Sequence, residues 1–288
     1  MQYLRKSDAR GSRLFAVDSE NVYDLTSADN ELNSFENLVR AARVAKKPVD
    51  DIAAQQFDDA DVVDRPDDIN LSTPVVPDEV WAAGVTYEIS EEARREESGM
   101  PEIYLDVYEA DRPEIFFKGT ERHVVGPHES IGVRGDSDWN VPEPELGIVL
   151  YDGETVGYTI GNDVSSRSIE GQNPLYLPQA KVYDRSCSIG TAIASTGRIE
   201  DPHNLDMSMR ITRDGETMYE ESTSTSEMVR SCQELIDAYT NHQAVPEFSL
   251  LLTGTSLVPS DEFTLLPGDR VIIDLQSIGT LENDVVEV

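Results

Sequence analysis

The chain has 288 residues, 39% of them hydrophobic, which is room for one large domain or a small one beside a larger one. Its 56 acidic against 23 basic residues leave a formal charge of −33, a balance that repels phosphate backbones and anionic lipids and argues against nucleic acid or membrane partners. No stretch approaches the ~20 apolar residues of a membrane span, the start Met1-Gln2-Tyr3-Leu4-Arg5-Lys6 has no apolar signal core and so predicts a cytoplasmic protein, and Cys187 and Cys232 cannot make a disulfide framework.

Residues 1–28 alternate in short runs that suit a small antiparallel pair. Over 30–47, Leu32, Phe35, Leu38, Val39 and Ala42 fall on one helical face, and Pro48 follows the stop at Lys46-Lys47. Asp50 to Asp68 holds eight aspartates in nineteen residues, which reads as a solvated linker or edge, with a domain boundary near Leu71. The expected organisation is a small N-terminal domain over 1–71 and a catalytic domain over 72–288. Ser90 to Gly99 and a segment opening at Pro101 read as short helices. From 115 onwards strands dominate. Asp152-Gly153 and Asp214-Gly215 each sit between alternating runs, the strongest short-range hairpin signal. A helix is predicted over Glu227–Tyr239 with Ser226 as cap, and strands over 249–252 and 270–276. The fold class is therefore α+β and strand-rich.

Carboxylates run from Asp8 to Glu287, interleaved with periodic apolar segments, and lysines number five. Self-repulsion of this size is relieved in molar salt, where the Debye length shrinks to about 3 Å, so the composition points to a salt-adapted protein, with a merely acidic mesophilic one as the alternative.

Phosphate-binding glycine loops, nucleophile elbows and zinc-helix motifs are missing from the sequence, and the four histidines are scattered. One segment has constrained geometry: Val141-Pro142-Glu143-Pro144-Glu145-Leu146. The residue before a proline is driven into extended conformation, and strand residues two apart project on one face, so Glu143 and Glu145 point together. Two like carboxylates side by side need a proton or a cation between them, and hard oxygen ligands favour Mg²⁺, Mn²⁺ or Ca²⁺. Acidic pairs at this spacing also recur by chance in so acidic a chain, and the proline framing is what sets this one apart. Asp163, at the end of Gly161-Asn162-Asp163, is either a third ligand or an ordinary turn aspartate. Lys181, amid apolar neighbours, is either a proton carrier or cationic stabiliser, or a lysine paired with one of many carboxylates.

Four blocks, P-E-P-E-L-G at 142–147, G-Y-T-I-G-N-D-V-S-S-R at 157–167, A-K-V-Y-D at 180–184 and L-T-G-T at 252–255, make the chain resemble the fumarylacetoacetate hydrolase superfamily over about 77–288. The segments 80–88, 112–118 and 170–179 are most similar to its archaeal 2-dehydro-3-deoxy-D-arabinonate (2-keto-3-deoxypentonate) dehydratase group. The resemblance implies a mixed β-roll assembled as a homodimer or homotetramer, and an Mg²⁺ ion on Glu143, Glu145 and Asp163. It implies that Lys181 lies beside the substrate, that Thr255 contacts its carboxylate, and that Glu114 and Lys118 sit on a loop near the site, with Lys118 also binding substrate. Glu114 and Lys181 then become the candidate acid and base for dehydrating a 2-keto-3-deoxy sugar acid to 2,5-dioxopentanoate in oxidative pentose degradation. Many hydrolases of the superfamily carry a His–Glu pair that activates water just after the position of Thr86-Tyr87. This chain reads Tyr87-Glu88-Ile89-Ser90-Glu91-Glu92-Ala93, which weighs against the alternative of an acylpyruvate hydrolase; an oxaloacetate decarboxylase of the same superfamily is the other alternative.

Overall fold

The computed structural model describes the chain except for Arg10, 67–70 and 88–105. The helices expected to open at Ser90 and Pro101 lie outside the described residues apart from 106–109, which are helical.

Alternating apolar residues build a strand-rich α+β fold with mixed sheets. Four N-terminal strands, β1 (Gln2–Asp8), β2 (Gly11–Val17), β3 (Val22–Asp24) and β4 (Asp61–Val63), lie side by side. They continue through β14 (Ala192–Ser195) into β11 (Glu154–Asp163), β10 (Pro144–Tyr151), β17 (Phe248–Leu252), β5 (Glu79–Gly84) and β6 (Glu114–Thr120). With β7 (Val124–Val125) and β13 (Cys187–Ile189) this makes one twelve-stranded sheet. A second sheet of five holds β8 (Ile131–Val133), β15 (Asp206–Arg213), β16 (Glu216–Ser224), β18 (Arg270–Leu275) and β19 (Gly279–Glu287), and the short β9 (Asn140–Val141) and β12 (Ser165–Ser166) pair with each other. Strands on both sides of residue 71 thus share a sheet: Gln2, Tyr3 and Leu4 are in register with Ala194, Ile193 and Ala192.

The central strands are covered on both faces, so β10 is buried over seven of its eight residues and reads as a continuous apolar run. Leu146, Ile148 and Leu150 face the five-stranded sheet, meeting Met207, Met209, Ile273 and Leu281. Val149, with Leu250 and Leu252, faces the opposite way onto helix α2 (Phe35–Ala45), which follows α1 (Leu25–Ala28) and presents Phe35, Leu38, Val39 and Ala42. The helix expected over 30–47 therefore exists, opened by the Ser34 cap and closed by Lys46 in the left-handed region (φ 53°). The aspartate-rich stretch is more ordered than its composition suggests. Val49–Ala54 forms α3, which buries Ile52 and Ala53, and β4 is an edge strand. Both Asp-Gly hairpins form, with positive φ at Asp152 and Gly153 (48° and 80°) and at Asp214 and Gly215 (51° and 83°).

Two short helices follow β12: α4 (Arg167–Glu170) and α5 (Leu177–Lys181). The last helix, α6, spans Cys232–Thr240 rather than Glu227–Tyr239. Ser231 supplies the cap: its Oγ accepts from Glu234 N at 3.2 Å and its own N donates to Glu234 Oε2 at 2.8 Å. That reciprocal box outcompetes Ser226, and the residues before it are pulled into extended pairing, Val229 N donating to Thr86 O at 2.8 Å and Met228 bridging Tyr87. Replacing Ser231 by Ala should cost about 1 kcal/mol in urea unfolding, whereas Ser226→Ala should stay within about 0.5 kcal/mol of the parent. Equal losses for the two would contradict this cap assignment.

Candidate active site

The β10–β11 hairpin gathers the acidic residues at its open end. Proline on either side holds Glu143 extended just ahead of β10, Glu145 lies within β10, and Asp163 ends β11. Backbone ties close that end: Asp163 N donates to Glu143 O at 2.9 Å and Glu143 N to Asn162 Oδ1 at 3.1 Å. Glu143, Glu145 and Asp163 are all buried, and one carboxylate oxygen of each lies within 4.8 Å of the others. The side-by-side projection read from spacing is thus present, and Asp163 joins it.

Cations surround this cluster. Lys181, the last residue of α5, is buried and places Nζ 2.8 Å from Glu143 Oε2, 3.1 Å from Asp163 Oδ2 and 2.6 Å from Ser165 Oγ. Lys118, wholly buried, places Nζ 2.7 Å from Asp163 Oδ1 and donates to Val164 O at 3.0 Å and to Lys181 O. Arg167 Nη2 lies 3.0 Å from Glu143 Oε1, and its Nη1 lies 3.9 Å from Glu170 Oε2. Glu145 has no ion pair among the described residues; its Oε2 accepts from Gly254 N at 2.5 Å. Gly254 sits at φ 81°, and a Cβ there would meet Thr86 Oγ1 at 2.2 Å and Ala83 O at 2.9 Å, so this turn admits only glycine. The loop is fastened in turn by Thr253 N to Leu146 O at 3.1 Å and by Thr86 Oγ1 to Thr253 O at 2.6 Å.

Charge and burial set the titration of the cluster. Burial pushes the Glu143 carboxyl up, but Lys181 and Arg167 outweigh it and bring it down to about 2. Burial, together with Asp163 and Glu143, drives Glu145 well above the usual carboxylate range. Burial opposes the charge on Lys181, while Asp163, Glu143 and Glu170 raise it well above an ordinary lysine, so it stays protonated. The donor set is three hard oxygen groups, one of them lacking a cationic partner among the described residues, which fits a small divalent cation.

Glu114 and Lys118 belong to strand β6, not to a loop, because 114–120 pairs with β5 as an antiparallel edge. The two-residue period along that strand sends Glu114 and Phe116 to one side, Lys118 stands at a bulge where the register with β5 shifts, and the Phe116 ring lies 5.3 Å from Lys181 Nζ. Glu114 lies against Gly84, where a Cβ would fall 2.1 Å from its Oε2. Burial, then Glu170, push its carboxyl up to about 7 against the pull of Lys181. Thr255 is half-buried on the loop that touches Glu145, its Oγ1 accepting from Leu257 N at 3.0 Å. Of the stretch Tyr87 to Ala93, which stands where many hydrolases of the superfamily carry the water-activating pair, all but Tyr87 lies outside the described residues. Sequence reasoning missed Ser165, Arg167 and Glu170, although the run Asp163-Val164-Ser165-Ser166-Arg167 and its continuation to Glu170 carry all three within eight residues.

Residues 79–286 match the fumarylacetoacetate (FAA) hydrolase C-terminal family. The chain is 58% identical to a probable 2-keto-3-deoxyxylonate dehydratase of Haloferax volcanii across the whole length of both. It is 42% identical over 219 residues, 74% of each chain, to a 2-dehydro-3-deoxy-D-arabinonate dehydratase of Saccharolobus solfataricus. A solved structure described as 2-keto-3-deoxy-D-arabinonate dehydratase complexed with magnesium and 2,5-dioxopentanoate superimposes with a TM-score of 0.83 at 32% identity, covering 100% of this chain and 99% of that one.

The raised Glu114 carboxyl has a consequence for stability. Its folded value of about 7 exceeds the unfolded one, so the metal-free fold holds an extra proton between roughly pH 4.3 and 7 and loses stability as pH rises through that window. In chelator, the melting temperature of Glu114→Gln should fall less between pH 5 and 8 than that of the parent. Parallel melting profiles for the two proteins would refute it.

Proposed function

The chain belongs to the fumarylacetoacetate hydrolase family, and we propose that within it the protein is a hydro-lyase removing water from a 2-keto-3-deoxypentonate to give 2,5-dioxopentanoate. The observation that carries this reading is the buried convergence of Glu143, Glu145 and Asp163, in a chain whose 32%-identical solved relative is described with magnesium and that same product. Residues 72–288 form the catalytic part, with 1–71 as a buttress to its sheet. Glu143, Glu145 and Asp163 hold Mg²⁺, with Mn²⁺ or Ca²⁺ as substitutes. The ion supplies positive charge beside the substrate's 1-carboxylate and 2-oxo group and so acidifies C3.

The remaining chemistry falls to side chains. Glu114, near neutrality in its pocket, takes the C3 proton, and the Lys181 ammonium assists departure of the C4 hydroxyl as water. A C3=C4 double bond results. Loss of a C5 proton and protonation at C3 then give a 4,5-enol, whose ketonisation leaves the aldehyde at C5. Thr255 orients the carboxylate end of the substrate. This sequence uses no water nucleophile.

We read the surplus of carboxylates as salt adaptation, supported by the 58% identity to a Haloferax volcanii protein. The enzyme would work in the cytoplasm, in pentose degradation, as a homodimer or homotetramer. No helix among the described residues is long and apolar enough to cross a membrane.

The test is an aldehyde-trapping assay on purified protein with 2-keto-3-deoxypentonates, run in rising KCl. Turnover should require added Mg²⁺, vanish in chelator and return on readdition. Lys181→Ala and Glu114→Gln should each lower kcat by about 10²–10⁴-fold. Full rate in chelator, or near-parental turnover in both variants, would overturn the assignment.

A further inference from the structure

The carboxylate of Asp163 is shared between two ammonium groups, and the two are not equivalent. Lys118 holds Oδ1 at 2.7 Å and Lys181 holds Oδ2 at 3.1 Å. Among the described residues the Lys181 head group donates only to side-chain oxygens, on Glu143, Asp163 and Ser165. Lys118 instead grips the main chain, donating to the carbonyls of Val164 and Lys181, with its ammonium ion-paired to Asp163. Its side chain is fully buried, and the Tyr183 ring lies 5.7 Å away while the Tyr183 hydroxyl donates to the same Val164 carbonyl at 3.1 Å.

We propose that Lys118 is a positioning residue: a fixed internal cation that claims one oxygen of Asp163, leaves the other for the metal, and anchors the backbone from which Lys181 springs. It touches neither substrate nor product. This differs from the substrate-contacting role that family resemblance implies for Lys118. A lysine with no exposed surface, bonded to two carbonyls and ion-paired to a carboxylate, presents no open face to a ligand. The Lys181 ammonium can leave its carboxylates when a divalent ion takes them, since it is held by side chains alone. Lys118 cannot do so without taking the donor from the buried Lys181 carbonyl and leaving that of Val164 to the Tyr183 hydroxyl alone.

The inference rests on the metal site proposed above, and its consequences separate from those of that reading. Removing Lys118 takes a positive charge from beside a metal ligand, so the metal should bind more tightly. It also frees the helix end that carries Lys181, so turnover should fall. A residue that merely helped the fold would weaken both. In Lys118→Met and in Lys118→Gln, calorimetry should show the Kd for Mg²⁺ lowered about tenfold, with kcat down at least about tenfold and KM within about threefold. Weaker or unchanged Mg²⁺ binding in either folded variant, or parental kcat, would overturn the role. The parent enzyme provides a second reading that needs no variant. Under reductive methylation followed by mass spectrometry, Lys118 should stay unmodified with and without 2,5-dioxopentanoate. Methylation of Lys118 in the free enzyme that the product suppresses would mark it as a ligand contact and sink the proposal. Absence of Mg²⁺ binding by the parent itself would instead count against the hydro-lyase reading.

Discussion

Charge neutralisation out of contact with water is the constraint around which this molecule is arranged. Glu143, Glu145 and Asp163 are brought together in the interior of a chain that already carries a formal charge of −33. An isolated buried carboxylate costs several kcal/mol, so three of them demand compensation nearby. Lys118, Lys181 and Arg167 provide it, in a sequence with five lysines in all. Two of those five lysines stand at one aspartate. The compensation is uneven: Glu145 is left with an amide rather than a cation, and burial beside Asp163 and Glu143 carries its carboxyl far above the normal range. The protein thus stores an unmet demand for positive charge at one place, which is what a binding site for a divalent ion requires.

The rest of the fold can be understood as holding that arrangement in register. β10 and β11 bring the acidic residues together, β17 delivers the Gly254 amide, β6 delivers Lys118 and Glu114, and α5 delivers Lys181. Five separate elements converge because the central strands are packed on both faces, by the five-stranded sheet on one side and by α2 and α3 on the other. The N-terminal strands are part of this clamp, since β1 pairs with β14 and extends the same sheet.

Much of this was legible from the residues. Pro142 and Pro144 fix the backbone around Glu143 whatever the tertiary context, and both Asp-Gly turns demand the positive φ values they display. Hydrophobic periodicity located α2 because its buried stripe is regular. Where several caps compete, local pattern failed: Ser226 and Ser231 both precede apolar residues, and only the glutamate three positions on distinguishes Ser231. Lys118 was similarly opaque. Nothing in Phe116-Phe117-Lys118 announces that its ammonium reaches the carbonyl of a residue 63 positions away. Contacts of that separation depend on how whole sheets stack, and no window of sequence contains that information.

The Asp152-Gly153 hairpin has a bearing on how the protein comes to be. Glu145 and Asp163 lie on the two arms of this one supersecondary unit and Glu143 directly precedes the first, twenty-one positions end to end, with the turn at the opposite tip. Hairpins of this kind close within about 1–10 μs, far ahead of long-range sheet assembly. The acidic cup is therefore among the earliest pieces of native geometry available to a nascent chain, and the lysines that tame it arrive from distant segments afterwards. In the interval, dissolved cations are the natural partners of those carboxylates, so ionic composition would influence the speed of maturation as well as the finished catalyst.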